Sequence, residues 1–457
     1  MNFSIHNSFT LIDEGKVFLK DDILKHVSEF DYIFKKQNLI ILLANNSITA
    51  VSVYLQALTS KTPIMLIGDE FNDEEVLKLV RIYNPSFLIS PDHISYDENN
   101  LKKIGSLSNF TIFKNILCKN SKPHKDLALL LGTSGSTGSS KFVRLTFQNI
   151  LSNANSIIEY LSISESAVSI TTLPMNYSYG LSIINSYAIA GGKLVLTNKS
   201  IIERDFWRLF EDQSITSISG VPYTFNLLKR VGFLKKSFPS LKVITQAGGK
   251  LNKDIKEEFL NYSEKNQIQF FVMYGQTEAT ARISYVPPSS LPEKIDSIGI
   301  AIPGGKLEIK KNNDSLKIGE IVYTGKNVSM GYASSEKDLS LGNNNNFVLY
   351  TGDLGYEDKD GFFFITGRKS RFIKINGVRH SLDNIESVLE SNFSDIEFRC
   401  YGGDDNLKVD FQSDKEVGLN ISKFISKKFK IHHKLINIEK VYEIKRNMAG
   451  KKVYSDQ

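Results

Sequence analysis

Asn38-Leu-Ile-Ile-Leu-Leu-Ala44 is an apolar run without polar alternation, the pattern of a short strand buried on both faces. From Ile48 to Leu58 the apolar residues fall at helical spacing, and Pro63 to Ile67 reads as a second strand. Asn72-Asp-Glu-Glu precedes an apolar-periodic stretch, a helix start with acids in its first turn. Asn84-Pro85 ends that helix, and Phe87 to Ile89 is strand-like again. Strand, helix, strand, helix predicts an α/β sheet with crossover connections. There is no internal repeat and no long linker, and Asn343 to Asn346 reads as a polar loop.

The pattern changes near Gly367. Short β segments dominate before it. After it come a predicted helix (Asp383 to Glu390), strand-like pieces (Glu397 to Tyr401, Lys408 to Phe411), a basic helix (Ile421 to Phe429) and a tail. That is enough for a small α+β module. The 457 residues suit two to three domains. A hydrophobic fraction of 41% and a charged fraction of 23% exclude disordered and fibrous classes. A net charge of +6 is too weak to indicate a nucleic-acid partner. Cys118 and Cys400 alone exclude a disulfide framework and a Cys-rich zinc module. No apolar run reaches the ~18 residues of a membrane span. The opening Met1 to Ser8 lacks a basic segment followed by an apolar one, so the expectation is a cytoplasmic protein without a secretion signal.

Candidate chemistry begins at Leu127-Ala-Leu-Leu-Leu-Gly-Thr-Ser-Gly-Ser-Thr-Gly-Ser-Ser-Lys141. An apolar strand runs into a Gly/Ser/Thr loop ending in lysine, and a second short strand (Phe142 to Leu145) and a helix capped by Thr146 follow. Glycines let backbone N–H groups converge, hydroxyls add donors and the lysine adds charge, which together make a polyphosphate cradle. A plain flexible linker is not normally clamped between two apolar strands. A Walker A loop fails on spacing, because Gly138 is followed by Ser139-Ser140-Lys141. A nucleophile elbow fails because position 136 is Ser.

Met273-Tyr-Gly-Gln-Thr-Glu278 follows the apolar Ile268 to Val272, and strand ends of α/β sheets are where ligands bind. Thr277 can donate to a phosphate and Glu278 can hold Mg2+ through oxygen. An ordinary turn is the alternative. Tyr350-Thr-Gly-Asp353 sets a carboxylate beside glycine, which suits a ribose diol, although taken alone a hairpin with acidic turn residues is the slightly better reading. Gly367 to Gly377 lies at the boundary, and the tail Lys445-Arg-Asn-Met-Ala-Gly-Lys451 reads in isolation as a solvated chain end.

In order and spacing these five segments resemble the adenylate-forming (AMP-binding) superfamily of acyl-CoA synthetases, stand-alone adenylation enzymes and firefly luciferase. Gly319 to Gly325 with Gly331-Tyr332, and Ser297-Ile-Gly with Pro303-Gly304, also look like family segments. The resemblance implies an α/β fold. A large N-terminal domain of mixed and parallel sheets flanked by helices, residues 1–368, would bind ATP and the acid. A small mobile α+β domain, residues 369–457, would carry the catalytic lysine. Thr133, Ser134, Gly135, Ser136, Thr137, Gly138 and Lys141 would wrap the β- and γ-phosphates of ATP. Gly248, Gly249 and Lys250 would line the adenine with Tyr274 and Gly275. Thr277 would touch the α-phosphate, Glu278 would hold Mg2+, and Asp353 with Arg368 would hold the ribose. Lys451 would reach the α-phosphate and the substrate carboxylate, with the hinge at Ser370.

The implied activity is AMP-forming activation of a carboxylic acid followed by transfer to a thiol. CoA is the expected acceptor, a carrier protein's phosphopantetheine the alternative, and a non-catalytic nucleotide-binding relative the remote one. Departures are Ser140 for the usual Pro, Lys445 for Pro, Tyr454 for Arg and Ser370 at the hinge. Within Leu173 to Leu181 the gate position holds Tyr177, and Ser178 stands where amino-acid-activating members place a carboxylate. A buried ammonium without a counter-charge is costly, so the expected substrate has no α-amino group. Tyr177, Tyr179 and Tyr223 suggest an aromatic, hydroxyl-bearing pocket, and equally suit plain packing tyrosines.

Overall fold

The strand predicted at 38–44 forms as Ile40–Ala44 with all five residues buried. A computed structural model describes residues 3–36, 38–92, 100–118, 122–133, 141–311, 317–375, 377–393, 396–413, 416–447 and 450–454. Ile40–Ala44 pairs in parallel with Ile64–Gly68 and with Phe87–Pro91, and the helices Ile48–Thr59 and Asp73–Tyr83 make the crossovers. The second helix starts where the acids predicted it. Asn72 and Glu75 form a reciprocal capping box, and Asn84 closes the helix at φ +47. Leu127–Gly132 joins this sheet in parallel beside Ile64–Gly68, and Phe142–Thr146 returns antiparallel to it. Tyr332–Ala333 adds the edge strand.

A second sheet carries a parallel run of Thr10–Asp13, Lys193–Leu196, Val168–Ile170, Ser217–Gly220, Val243–Gln246 and Gln269–Tyr274. Antiparallel Lys16–Leu19 and Ser284–Val286 flank it. One apolar core joins the two sheets. Leu42, Leu66, Leu129 and Leu131 of the first meet Phe271 and Met273 of the second through Leu181 and Ile184 of the helix Ser178–Ala190. That helix is buried from Ser178 to Ala188, on all its faces rather than along one stripe.

The chain forms two compact units. One comprises residues 1–295, 301–306 and 324–349, the other 296–300, 307–323 and 350–457. The contacts therefore divide the chain differently from a single cut after Arg368. The strand Phe363–Arg368 stays with the C-terminal elements because the Arg368 N–H donates to Asp383 at 3.0 Å, at the start of the helix Leu382–Asn392. In the second unit Val348–Glu357 pairs antiparallel with Phe363–Arg368. The strands Glu397–Gly403, Asn406–Gln412 and Ile436–Val441 form a three-stranded sheet, the last pairing in parallel. The helices Leu382–Asn392 and Gly418–Phe429 complete a core of its own around Ile385, Leu389, Phe398, Val409, Ile421 and Ile425. No helix among the described residues is long and apolar enough to cross a membrane.

Candidate active site

The two strands Leu127–Gly132 and Phe142–Thr146 hold the ends of the predicted phosphate loop side by side. Thr133 and Lys141 are described, whereas Ser134, Gly135, Ser136, Thr137 and Gly138 lie outside the described residues. The Lys141 ammonium stands 3.8 Å from the centroid of the Tyr332 ring, a cation–π contact. The Tyr332 hydroxyl donates to Glu278 Oε1 at 2.7 Å. Burial, and then the Glu278 charge, push this phenol well above its ordinary range. Lys141 and Glu278, 137 positions apart in sequence (278 − 141), thus both contact one tyrosine, the first at its ring face and the second at its hydroxyl.

Tyr332 is held there by Arg144. This side chain is fully buried. Its Nε donates to the Tyr332 carbonyl (3.0 Å), its Nη2 to those of Met330 (3.0 Å) and Gly342 (3.3 Å), and its Nη1 to that of Leu341. Asn149 adds donors to the Lys326 and Val328 carbonyls at 2.7 and 2.8 Å.

The Tyr274 to Glu278 segment leaves the strand Gln269–Tyr274 in a turn that only glycine permits at 275, where a Cβ would lie 1.7 Å from the Ala281 carbonyl oxygen. Thr277 is buried, and its hydroxyl donates to Ser178 Oγ at 3.4 Å. Beyond Glu278, Thr280 sits at φ +67, ψ −62, a strained γ-turn closed by Ala281 N–H to Ala279 O at 2.7 Å. Asn327 clamps this turn, donating to the Ala279 and Arg282 carbonyls, while its own carbonyl accepts from Thr280 Oγ1.

Gly248 takes φ +87 after the strand Val243–Gln246, and a Cβ there would lie 2.6 Å from the Tyr177 hydroxyl. Tyr177 therefore stands against the Gly248-Gly249 turn, which Gln246 braces by donating to the Gly249 carbonyl at 2.9 Å. Lys250 follows, exposed. Tyr179 is buried in the apolar core with its hydroxyl on the Thr245 carbonyl at 2.9 Å, so it packs there rather than presenting a free hydroxyl. Tyr223 is 41% exposed near the start of the helix Pro222–Arg230.

In the second unit Asp353 is buried and pairs across the strands with Arg368, Oδ1 to Nε at 3.1 Å. Ser370 is exposed in the turn after Phe363–Arg368. Lys451 lies on a tight turn in which its N–H donates to Asn447 Oδ1 and its carbonyl accepts from the Asn447 N–H. Its neighbour Lys452 is buried in an acidic cage. The Nζ reaches Glu386 at 2.8 Å, Glu390 at 2.7 Å and the Phe398 carbonyl at 2.6 Å.

The AMP-binding enzyme model matches residues 33–333, about two thirds of the chain. The chain belongs to the AMP-binding enzyme family. The matched span holds Thr133, Lys141, Tyr177, Gly248, Thr277 and Glu278, while Asp353, Arg368, Ser370 and Lys451 lie beyond it. Among curated relatives, luciferin 4-monooxygenase of Nipponoluciola cruciata is 28% identical over 58% of this chain and 49% of its own length. The 2-succinylbenzoate–CoA ligase of Listeria innocua is 27% identical over 77% of this chain and 67% of its own. The first of these shows that the chain spans about half the length of some relatives it matches. The fold is that of the o-succinylbenzoate CoA synthetase of Bacillus subtilis in complex with its acyl-adenylate, with a TM-score of 0.79 and 21% identity over 97% of this chain and 93% of that one.

Three residues escaped the sequence reading. Arg144, Asn327 and Lys452 touch no expected ligand atom but position Tyr332, the Glu278 turn and the Lys451 turn. A charged residue inside the apolar Phe142 to Leu145 was a visible signal for the first. For Asn327 and Lys452 no local pattern distinguishes them. Among the described residues no group of three or more His, Cys, Asp or Glu forms a preformed cation cage. A lone carboxylate at Glu278 fits magnesium that arrives on nucleotide phosphates, which takes one or two protein carboxylates.

Proposed function

We propose that this chain is an AMP-forming acid–thiol ligase. A carboxylate oxygen attacks the α-phosphorus of ATP, the bond to the β-phosphate oxygen breaks, and pyrophosphate leaves. A thiol sulfur then attacks the acyl carbon of the adenylate, AMP leaves with the bridging oxygen, and the thiol proton passes to solvent. The observation that carries this reading is the Lys141–Tyr332–Glu278 line inside the matched family span. Through Tyr332 it brings the loop cation and the carboxylate that would hold the metal into one neighbourhood.

Both reactants of the first step are anions, so positioning and positive charge do most of the catalysis. In this reading Lys141 and the loop before it bind the β- and γ-phosphates, and Thr277 donates to the α-phosphate. Gly248, Gly249 and Tyr274 flank the adenine, and Asp353 accepts from the ribose hydroxyls while Arg368 holds its carboxylate in place. Magnesium, held by Glu278, supplies charge neutralisation on the nucleotide. Lys451 balances the charge that develops between carboxylate and phosphorus, and Ser370 is the hinge about which the small domain, residues 369–457, turns between the two half-reactions.

Relatives named for CoA ligation support CoA as the acceptor, and an aromatic acid of the 2-succinylbenzoate type as substrate. A phosphopantetheine carrier is the second reading of the same transfer step. The test is pyrophosphate release over a panel of carboxylic acids, followed by acyl transfer to CoA and to a phosphopantetheine-bearing carrier protein. No release with any acid overturns the reading, and transfer to the carrier alone replaces CoA as acceptor.

A further inference from the structure

Two arginines are buried in the first unit, and their surroundings differ. All three nitrogens of Arg144 donate to backbone carbonyls. Arg282 is 2% exposed, and its Nε has no hydrogen-bond partner. Among the described residues no carboxylate pairs with it. Its guanidinium lies 3.7 Å from the centroid of the Tyr179 ring, and its charge also acts on the Tyr160 phenol, opposing the upward push of burial there. Aromatic faces and a phenol do not replace a counter-ion, and a buried charge without one is strongly unfavourable. A residue placed so is explained when a partner arrives from outside.

The location says which partner. Arg282 follows the Thr277-Glu278 turn by a few residues, and its charge acts on Tyr177 as well as on Tyr179. Tyr177 in turn lies against Gly248, and Ser178 meets Thr277. The guanidinium thus stands beside the segment that the acid-binding reading assigns to the substrate, where Ser178 brings no charge of its own. Its backbone is pinned on both sides. The Arg282 N–H donates to Asn153 Oδ1 at 3.4 Å, and its carbonyl accepts from Asn153 and Asn327 at 3.1 and 2.9 Å. Tyr179 covers one guanidinium face, and the unpartnered Nε lies on the edge of the fork. Edge-on, two-point pairing is what a carboxylate offers.

We propose that Arg282 binds a second carboxylate on the acid being activated, so that the preferred substrates are dicarboxylic acids. This rests on the reading of the chain as an acid–thiol ligase. The binding site is specific to the non-reacting end of the substrate, because the reacting carboxylate belongs at Thr277 and Lys451.

The experiment measures pyrophosphate release by the full chain on matched pairs: 2-succinylbenzoate beside 4-oxo-4-phenylbutanoate, which lacks the ring carboxylate, and glutarate beside pentanoate. At least one diacid is expected to exceed its monoacid by about 100-fold or more in kcat/KM, since a site built to pair a polar group rejects an analogue lacking it. In Arg282→Gln that ratio should collapse to within about threefold of unity, with Arg282→Lys intermediate. A purely structural arginine would lower both members of a pair and leave the ratio unchanged, which overturns the assignment. Should Arg282→Gln not fold, the wild-type pairs decide: monoacids turned over as well as or better than their diacids overturn the assignment and leave the ligase reading standing. No release with any acid overturns the ligase reading and this inference with it.

Discussion

Single residues at this site are held by contacts that can be removed one at a time. Tyr332 separates two roles, because its ring faces Lys141 and its hydroxyl faces Glu278. Tyr332→Phe keeps the first and deletes the second. A carboxylate that loses its orienting donor binds metal more weakly, typically by 10- to 100-fold. The Mg2+ concentration giving half-maximal pyrophosphate release should therefore rise at least about tenfold in this variant, with ATP saturation at high Mg2+ little changed. Arg144 makes the opposite kind of contribution. Arg144→Met takes the guanidinium donor from four carbonyls, of which that of Met330 is buried and keeps the Asn344 N–H while the others are partly open to water, and a buried group left short of its partner costs about 1–3 kcal/mol. Denaturant unfolding should show a loss of about 1–3 kcal/mol, and Arg144→Lys should recover little of it, since an ammonium cannot span the fork.

At the scale of elements, the tail turn is fastened through Lys452. Burial alone would raise the Glu386 carboxyl, but Lys452 and Arg371 outweigh it and hold that group below the ordinary glutamate range. A depressed carboxylate stabilises the fold above its unfolded pKa and loses that contribution as the pH falls through the folded value. Lys452→Met removes the shared cation and leaves Glu386 and Glu390 facing each other, so protonating one of them then relieves repulsion. The deficit of Lys452→Met in thermal unfolding should be largest near pH 8 and narrow toward pH 5. Elements of this kind differ in how openly the chain writes them. The parallel strands were legible because burial on both faces demands unbroken apolar runs, and Asp73–Tyr83 was legible because its cap and stop are local. The hairpin Thr10–Asp13 with Lys16–Leu19 was not, because its outer strand is mostly exposed and carries no periodic signal. Ile436–Val441 was missed because its partner lies a helix away along the chain. The site shows the same split. Glycine- and threonine-rich turns announced themselves, whereas Arg282 and Lys452 acquire meaning only from what the fold brings around them.

For the whole molecule, the two compact units are threaded through one another in sequence, yet the residues after Arg368 own a core that none of the earlier chain supplies. A fragment covering 369–457 should accordingly fold alone. Its near-complete set of buried side chains, with Arg399 paired to Asp410 inside it, predicts a cooperative thermal transition and dispersed amide signals. A collapsed, non-cooperative fragment would tie its folding to the strand Phe363–Arg368. The first unit has the reverse dependence, and it can be put in terms of time. Arg144 is synthesised 198 residues before Gly342, the last of its carbonyl partners. At ~5–20 residues per second a ribosome needs roughly 10–40 s to cover that distance. Until Met330 and Tyr332 emerge, 186 and 188 residues after Arg144, the guanidinium has none of these acceptors, so the strand Phe142–Thr146 that closes the proposed phosphate loop cannot be buried at its final depth. Stalled nascent chains ending at Glu320 should remain open to protease around Arg144, and chains ending at Cys400 should be closed there, which makes the nucleotide site one of the last parts of this unit to be completed during its synthesis.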